Sequence, residues 1–539
     1  MRTVLALARG DFLERVRRYG FLVTLGITVW AARAALPPRG SDYVTVRIGQ
    51  HRALYNSAGV GSMVALLTGV FLTLIGFYLV KGAVERDRRT GVGKILGATR
   101  MTRVTYVLAK WLSNATVLMV IAGVMLVVAG AMQIVLGEDR RLDPVALATP
   151  FVLLTLPAML MVAAVAVVFE MIPGLRRGLG SIAWFFLFVF GLATGVPEAG
   201  GYRPIGDPVG MRIVLPSLEQ ACARQYPDYV PGVGGVAVGI NVSKGARSVT
   251  PFTWTGVRWT PQAVGQRAAW AALALCLALL AVPLFDRFDA GHAVARGRPW
   301  WRGRARPAAR PGTAAAVPDV EAAPAHAAHP PVAALAPATR GERFAPLLRA
   351  EVALMAKGAN RWWLLVALTL ALLCLFLPLD GVRAVTLPLA AIWPILLWSA
   401  MGWSEARFGT DALLFSAPRP LWRQLPAAWL AGVLLATAVT GTYALRLALA
   451  GDAASLLGWL AGVLFVPSFA LASGVWTGSG KLFEVAYLVL WYVGPLNHVP
   501  GLDYLGVVPG ARGAHLAFIA AALALLALAY AGRARQLRG

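Results

Sequence analysis

The sequence predicts an all-α polytopic membrane protein of about twelve transmembrane helices, arranged as two parallel six-helix repeats. Three observations predict it. Of 539 residues, 58% are hydrophobic and only 14% charged, with a mean hydropathy of +0.66. A soluble chain of ordinary composition carries about 25% charged residues. Apolar runs of roughly 20 residues, the length that crosses a bilayer core, recur twelve times. A basic stretch of about 15 residues, marked by Leu7–Asp11 and by Leu347–Glu351, precedes the first run of each group of six. A soluble enzyme, a disordered scaffold and a secreted disulfide module are excluded on these grounds.

The first six runs lie at 19–36, 60–82, 106–135, 148–170, 178–196 and 267–285. The second six lie at 361–379, 385–403, 425–449, 455–475, 483–498 and 513–532. Between them, residues 287–343 are rich in Ala, Pro and Arg without periodicity, which reads as a disordered, basic cytoplasmic linker. The domains are therefore 1–286, with an external insertion at 197–266, the linker 287–343, and 344–539.

The formal net charge is +25. In a soluble chain this points to nucleic acid; here the apolar content makes the anionic cytoplasmic leaflet the natural partner, so membrane lipids are expected and nucleic acid is not. The segments 83–103, 286–362 and 533–539 are plainly basic, which places them and both termini on the cytoplasmic side of the inner membrane. Of the cysteines, only Cys222 lies outside an apolar run, so no disulfide framework is available. The histidines show no metal-ligand spacing, and no metal site is expected.

The two halves carry matching marks. Leu7-Ala8-Arg9-Gly10-Asp11 parallels Leu347-Leu348-Arg349-Ala350-Glu351, each within a stretch suited to an amphipathic helix lying in the interface. Trp111-Leu112 and Trp429-Leu430 open the third run of each half. Span-end positions explain Glu170, Arg446, Lys481 and Glu484 by snorkelling or i,i+3 pairing. Trp254 and Trp259, just before the sixth run, read as interfacial aromatic anchors.

No catalytic constellation is present. A phosphate-cradling loop needs G-x-x-x-x-G-K-[ST], but Gly93-Lys94 and Gly480-Lys481 are followed by Ile95 and Leu482. The informative segments are the loops after the second and eighth runs. One reads Glu405-Ala-Arg-Phe-Gly409-Thr410-Asp-Ala-Leu413-Leu414-Phe-Ser416-Ala-Pro418-Arg419. The other carries Glu85, Arg88, Thr90, Gly91, Ile95, Leu96 and Arg103, with Thr-Gly reversed and the proline absent.

These loops, and the plan of interfacial helix, six spans and an external insertion before the sixth, resemble the export permeases of the ABC-2 type. The resemblance implies a transport subunit that is not itself an enzyme and binds no cofactor. A separate ABC ATPase, in two copies, would bind ATP and Mg and dock on loops 85–103 and 405–423. It would drive a drug, peptide, lipid or similar substrate outward by alternating access. The acidic residue and arginines would brace each loop, and the Ile-Leu or Leu-Leu pair would offer an apolar knob to a groove on the ATPase.

An ion-coupled secondary transporter of the major facilitator type is the alternative, since Gly82-Ala-Val-Glu-Arg-Asp87-Arg-Arg-Thr-Gly91 approaches that family's loop motif. A membrane glycosyltransferase finds little support, because Asp42, Glu198, Asp207, Glu219 and Asp228 show no paired spacing.

Overall fold

The structure, a computed structural model, describes residues 2–17, 19–38, 43–176, 178–195, 207–230, 236–242, 249–288, 344–417, 419–508 and 512–538. Most of the expected linker 287–343 and parts of the insertion 197–266 lie outside these residues. Among the described residues, nine helices are long and apolar enough to cross a membrane, or ten if one bent pair counts as a single span. That pair is Phe344–Ala356 and Arg361–Phe376, which meet at 103°. The chain is thus a multi-pass membrane protein, and among the described residues two of the expected spans are short. Tyr19–Ala34 has 16 residues, and Lys481–Trp491 has 11 before a π turn at Tyr492–Leu496.

The chain divides into two compact units, Met1–Phe288 with Ser479–Asn497, and Asp289–Gly478 with His498–Gly539. The units do not follow chain order at 479–497, which groups with the first.

In the first unit, α1 (Arg2–Val16) and α2 (Tyr19–Ala34) lead to α3 (Ser57–Val80), which is the buried centre. Asn56 starts α3 by accepting the Gly59 N–H at 2.7 Å. Small residues let neighbours approach α3 closely: a Cβ on Gly61 would meet the Leu147 carbonyl at 2.5 Å. Two short helices, α4 (Ala83–Arg89) and α5 (Val92–Ala98), follow at one end of the unit. The chain then runs through α6 (Arg103–Leu136), α7 (Pro144–Met171), α8 (Gly178–Gly195), α9 (Met211–Gln225) and α10 (Pro261–Leu280).

The opposite end of this unit corrects the all-α expectation. Strands β1 (Tyr43–Ile48), β2 (His51–Ala53), β3 (Val236–Val242) and β4 (Thr250–Phe252) form a four-stranded sheet in the order β3-β1-β2-β4. β1 pairs antiparallel with β2 and β3, while β2 pairs parallel with β4. The alternation in Tyr43-Val-Thr-Val-Arg-Ile48 and the β-branched content of β3 favour strands. Trp254 is buried here with Met211, Leu215 and Leu218, and its Nε1 donates to Ser217 Oγ at 3.2 Å. It is a core residue of this end rather than an interfacial anchor.

The second unit holds α11 (Phe344–Ala356), α12 (Arg361–Phe376), α13 (Leu379–Trp398), α14 (Ser404–Phe408), α15 (Asp411–Phe415), α16 (Pro420–Leu449), α17 (Ala453–Thr477) and, after the excursion of α18 (Lys481–Trp491) into the first unit, α19 (Arg512–Gln536). At the end away from α14, Arg383 ties α13 to Asp452 at 2.6 Å and to Ser455 at 3.1 Å.

Candidate coupling site

Each of the two loops singled out in the sequence is a pair of very short helices. A helix of one or two turns has no stability of its own in water, so its position depends on what holds it. In the first unit the principal brace is Glu170, at the end of α7 and 1% exposed. Its Oε1 accepts the N–H groups of Gly82 at 2.8 Å and Ala83 at 3.1 Å, and its Oε2 those of Val84 at 2.7 Å and Glu85 at 3.2 Å. These are the otherwise unsatisfied amides at the start of α4, so the carboxylate replaces both a cap and a hydration shell. Glu170 therefore turns inward as a brace instead of snorkelling.

Three further groups fix α4. Asp87 is buried and accepts the Tyr106 hydroxyl at 2.7 Å, with Lys110 Nζ at 2.8 Å. Arg86 pairs with Asp11 of α1, and Asp11 also takes Lys110 Nζ at 2.8 Å and Ser113 Oγ at 2.6 Å. Burial opposes ionisation of Asp11, but Arg15 and Lys110 outweigh it and hold the carboxyl well below the usual range. Arg88 pairs with Asp286 at 2.7 Å.

The expected residues fall into distinct roles. Glu85 is exposed, so the acid predicted to brace the loop does not do so; Asp87 and Glu170 face inward in its place. Thr90 is exposed and bonds the Arg86 carbonyl at 3.0 Å, and Gly91 takes a left-handed φ of 77° that admits α5. Ile95 is 68% exposed, whereas Leu96 is half-buried against Val84 and Tyr106. Arg103 is exposed at the first turn of α6.

In the second unit Glu405 is 7% exposed and accepts Gln424 Nε2 at 2.6 Å and Arg533 Nη2 at 3.3 Å. Gly409 has a φ of 65° and ends α14, and the Thr410 N–H donates to the Glu405 carbonyl at 3.0 Å. Leu413 is 75% exposed and Leu414 half-buried. Ser416 Oγ donates to the Leu413 carbonyl at 2.8 Å. Arg419, exposed with a φ of 51°, precedes α16. Pro418 lies outside the described residues. Glu351 of α11 faces this cluster; burial, then Glu405, raise its pKa to about 7, with Arg533 opposing.

A common register links the two loops. Tyr106 to Asp87 and Gln424 to Glu405 are both side-chain bonds between residues 19 apart. Counting the same way, Gly91 matches Gly409, Ile95 matches Leu413, and Leu96 matches Leu414. The tryptophans that follow, Trp111 and Trp429, keep step, and each indole N–H is bonded, to the Leu160 carbonyl at 3.0 Å and to Ser468 Oγ at 2.9 Å. Counting back equally from Trp111 and Trp429 reaches Asp87 and Glu405, so the sequence held the signal that Asp87, not Glu85, is the partner of Glu405.

Two other residues placed at span ends, Arg446 and Lys481, also cap a neighbouring helix. Arg446 donates to the carbonyls of Cys374 at 3.0 Å and Leu377 at 2.5 Å, at the end of α12. Lys481 Nζ donates to the carbonyls of Lys81 and, at 3.5 Å, Tyr78, at the end of α3; Glu484 is buried one turn along. Compared with known proteins, the chain matches no family model, no curated protein and no solved structure.

Proposed function

We propose that this chain is the membrane subunit of an ABC exporter, with two parallel six-span repeats fused in one polypeptide. A separate ATPase, in two copies, docks on 85–103 and 405–423 from the cytoplasm, where both termini also lie. The observation that carries the reading is the matched pair of Ile95 and Leu413. Each is an exposed apolar side chain on the second short helix of a pair whose first helix is anchored by buried side-chain bonds, at the same register after an inward acid. Exposed apolar side chains on a braced scaffold suit a partner's groove.

The bracing supplies a mechanism. A push on α5 passes through Glu170 to α7, through Asp87 and Tyr106 to α6, and through Arg86 and Asp11 to α1. A push on α15 passes through Glu405 to α16 and, by Arg533, to α19. Closure of the ATPase pair on nucleotide then biases a two-state arrangement of spans. ATP and Mg belong to the partner, which supplies hydrolysis; this chain supplies the pathway for a drug, peptide, lipid or similar substrate.

The test is co-purification in mild detergent, read by mass spectrometry for a subunit with phosphate-loop motifs. Wild type retains it, and an Ile95→Asp, Leu413→Asp variant loses it at an unchanged melting midpoint, because both side chains are exposed. Absence of such a subunit from the wild-type sample overturns the reading.

A further inference from the structure

We infer that the sheet-bearing end of the first unit contains a binding site for a phosphate-bearing anion. A cavity of about 420 Å³ lies between α9 and the segment leading into α10. This falls in the range of roughly 300–1,000 Å³ typical of small-ligand sites. Its charged lining is wholly basic: Arg212, Arg224 and Arg258 contribute guanidinium groups, and among the described residues no Asp or Glu lines it. Gln220, Gln262 and Gln266 add amide groups that donate and accept.

The arrangement is built rather than incidental. Arg212 is half-buried and anchored by Nη2 on the Thr194 carbonyl at 2.5 Å, while its Nε is buried with no acceptor among the described residues. Gln262 and Gln266 lie in the opening turns of α10, where the helix presents its positive dipole end. Three arginines on the lining of one cavity, with no carboxylate among the described residues there, favour an anion that accepts several forked bonds, for which phosphate geometry is suited. The cavity exceeds what a bare phosphate fills, and buried Trp254 gives it one apolar wall. A phosphate carrying a glycerol or sugar group matches that mixture.

Two sources share this chemistry. The apolar stretch of α10 begins at Ala268, just after Gln262 and Gln266, so the cavity stands where lipid headgroups lie. A soluble phosphoester reaching that face is the other. The inference is independent of ATPase docking, which concerns the opposite end of the unit.

The experiment uses the full chain purified in detergent. Native mass spectrometry compares phosphatidylglycerol with net-neutral phosphatidylcholine, and calorimetry titrates glycerol 3-phosphate. Each is repeated on an Arg224→Gln, Arg258→Gln variant; both side chains are exposed, and an unchanged melting midpoint verifies the fold. The expected result is at least about tenfold weaker binding of a phosphate-bearing anion to the variant, with phosphatidylcholine unaffected. Loss in the lipid arm alone identifies a headgroup site; loss in the calorimetric arm identifies a soluble phosphoester. Binding of neither anion by wild type, or equal binding by wild type and variant, overturns the inference.

Discussion

A carboxylate accepting four backbone N–H groups has no adequate amide substitute, because a carboxamide presents one acceptor and turns an NH2 toward the remaining donors. Glu170 is in that position over Gly82, Ala83, Val84 and Glu85. Glu170→Gln is expected to destabilise the chain by about 3 kcal/mol, since buried donors lose charged acceptors. Glu85→Gln, on an exposed side chain, is expected to stay within about 0.5 kcal/mol of wild type. Thermal unfolding in detergent compares the two midpoints, and equal midpoints would remove Glu170 as the brace. The contrast shows how position outweighs identity here. Both are glutamates near a membrane end, but only one sits under the start of a helix.

At the scale of elements, the helices that open the two halves, α1 and α11, place acids alike and neutralise them differently. Asp11 of α1 meets Lys110, Arg86 and Arg15, a surplus of cations. Glu351 of α11 has its pKa raised from 4.5 to about 7 by burial and then by the field of Glu405, with Arg533 opposing. The folded chain therefore binds more protons than the unfolded one across that interval. Stability falls as pH rises from 4.5 to about 7 and is level above it. Glu351→Gln should flatten this slope and raise stability at pH 8 by about 2 kcal/mol, a figure reduced for partial solvent screening. Unfolding midpoints across pH 5–8 check it, and an unchanged slope would rule out Glu351 as its source.

Helical order was legible in the sequence because runs of Leu, Ala and Val announce themselves. The basic stretches before the first and seventh runs were legible as helices from their amphipathic pattern, although α1 turns Asp11 and Arg15 inward. The sheet was missed because its strands are short and join chain segments almost 200 residues apart, as in Val44 opposite Asn241. No local pattern announces such pairings. Of the candidate site, the outward Ile95 and Leu413 followed from the apolar pairs, whereas Glu170 did not, because its partners are backbone amides far along the chain.

Across the molecule, the short first span, α2, decides how the chain threads the bilayer. A helix of 16 residues reaches only about 24 Å, against a hydrocarbon core of about 30 Å. The contacts of α2 nevertheless fix its ends at opposite ends of the first unit. Asp11, just before it, bonds Ser113 and pairs with Arg86 beside α4, while Ala35, just after it, accepts the Thr45 hydroxyl of β1 at 2.9 Å. Arg33 bonds back to the Leu36 carbonyl at 3.1 Å, and a crossing by α2 would require local thinning of the bilayer. In the second unit Arg533 beside Glu405 puts the end of α19 with the loop. Replacing the native cysteines and introducing single ones therefore has a definite expected pattern under a membrane-impermeant maleimide on intact cells. Cysteines at Gly10, Thr90, Leu413 and Arg538 should be protected, and those at Arg140 and Arg258 labelled. Labelling at Gly10 together with Arg140 would mean that α2 does not cross, and labelling at Thr90 but not Arg140 would invert the whole chain and overturn the proposed docking of an ATPase.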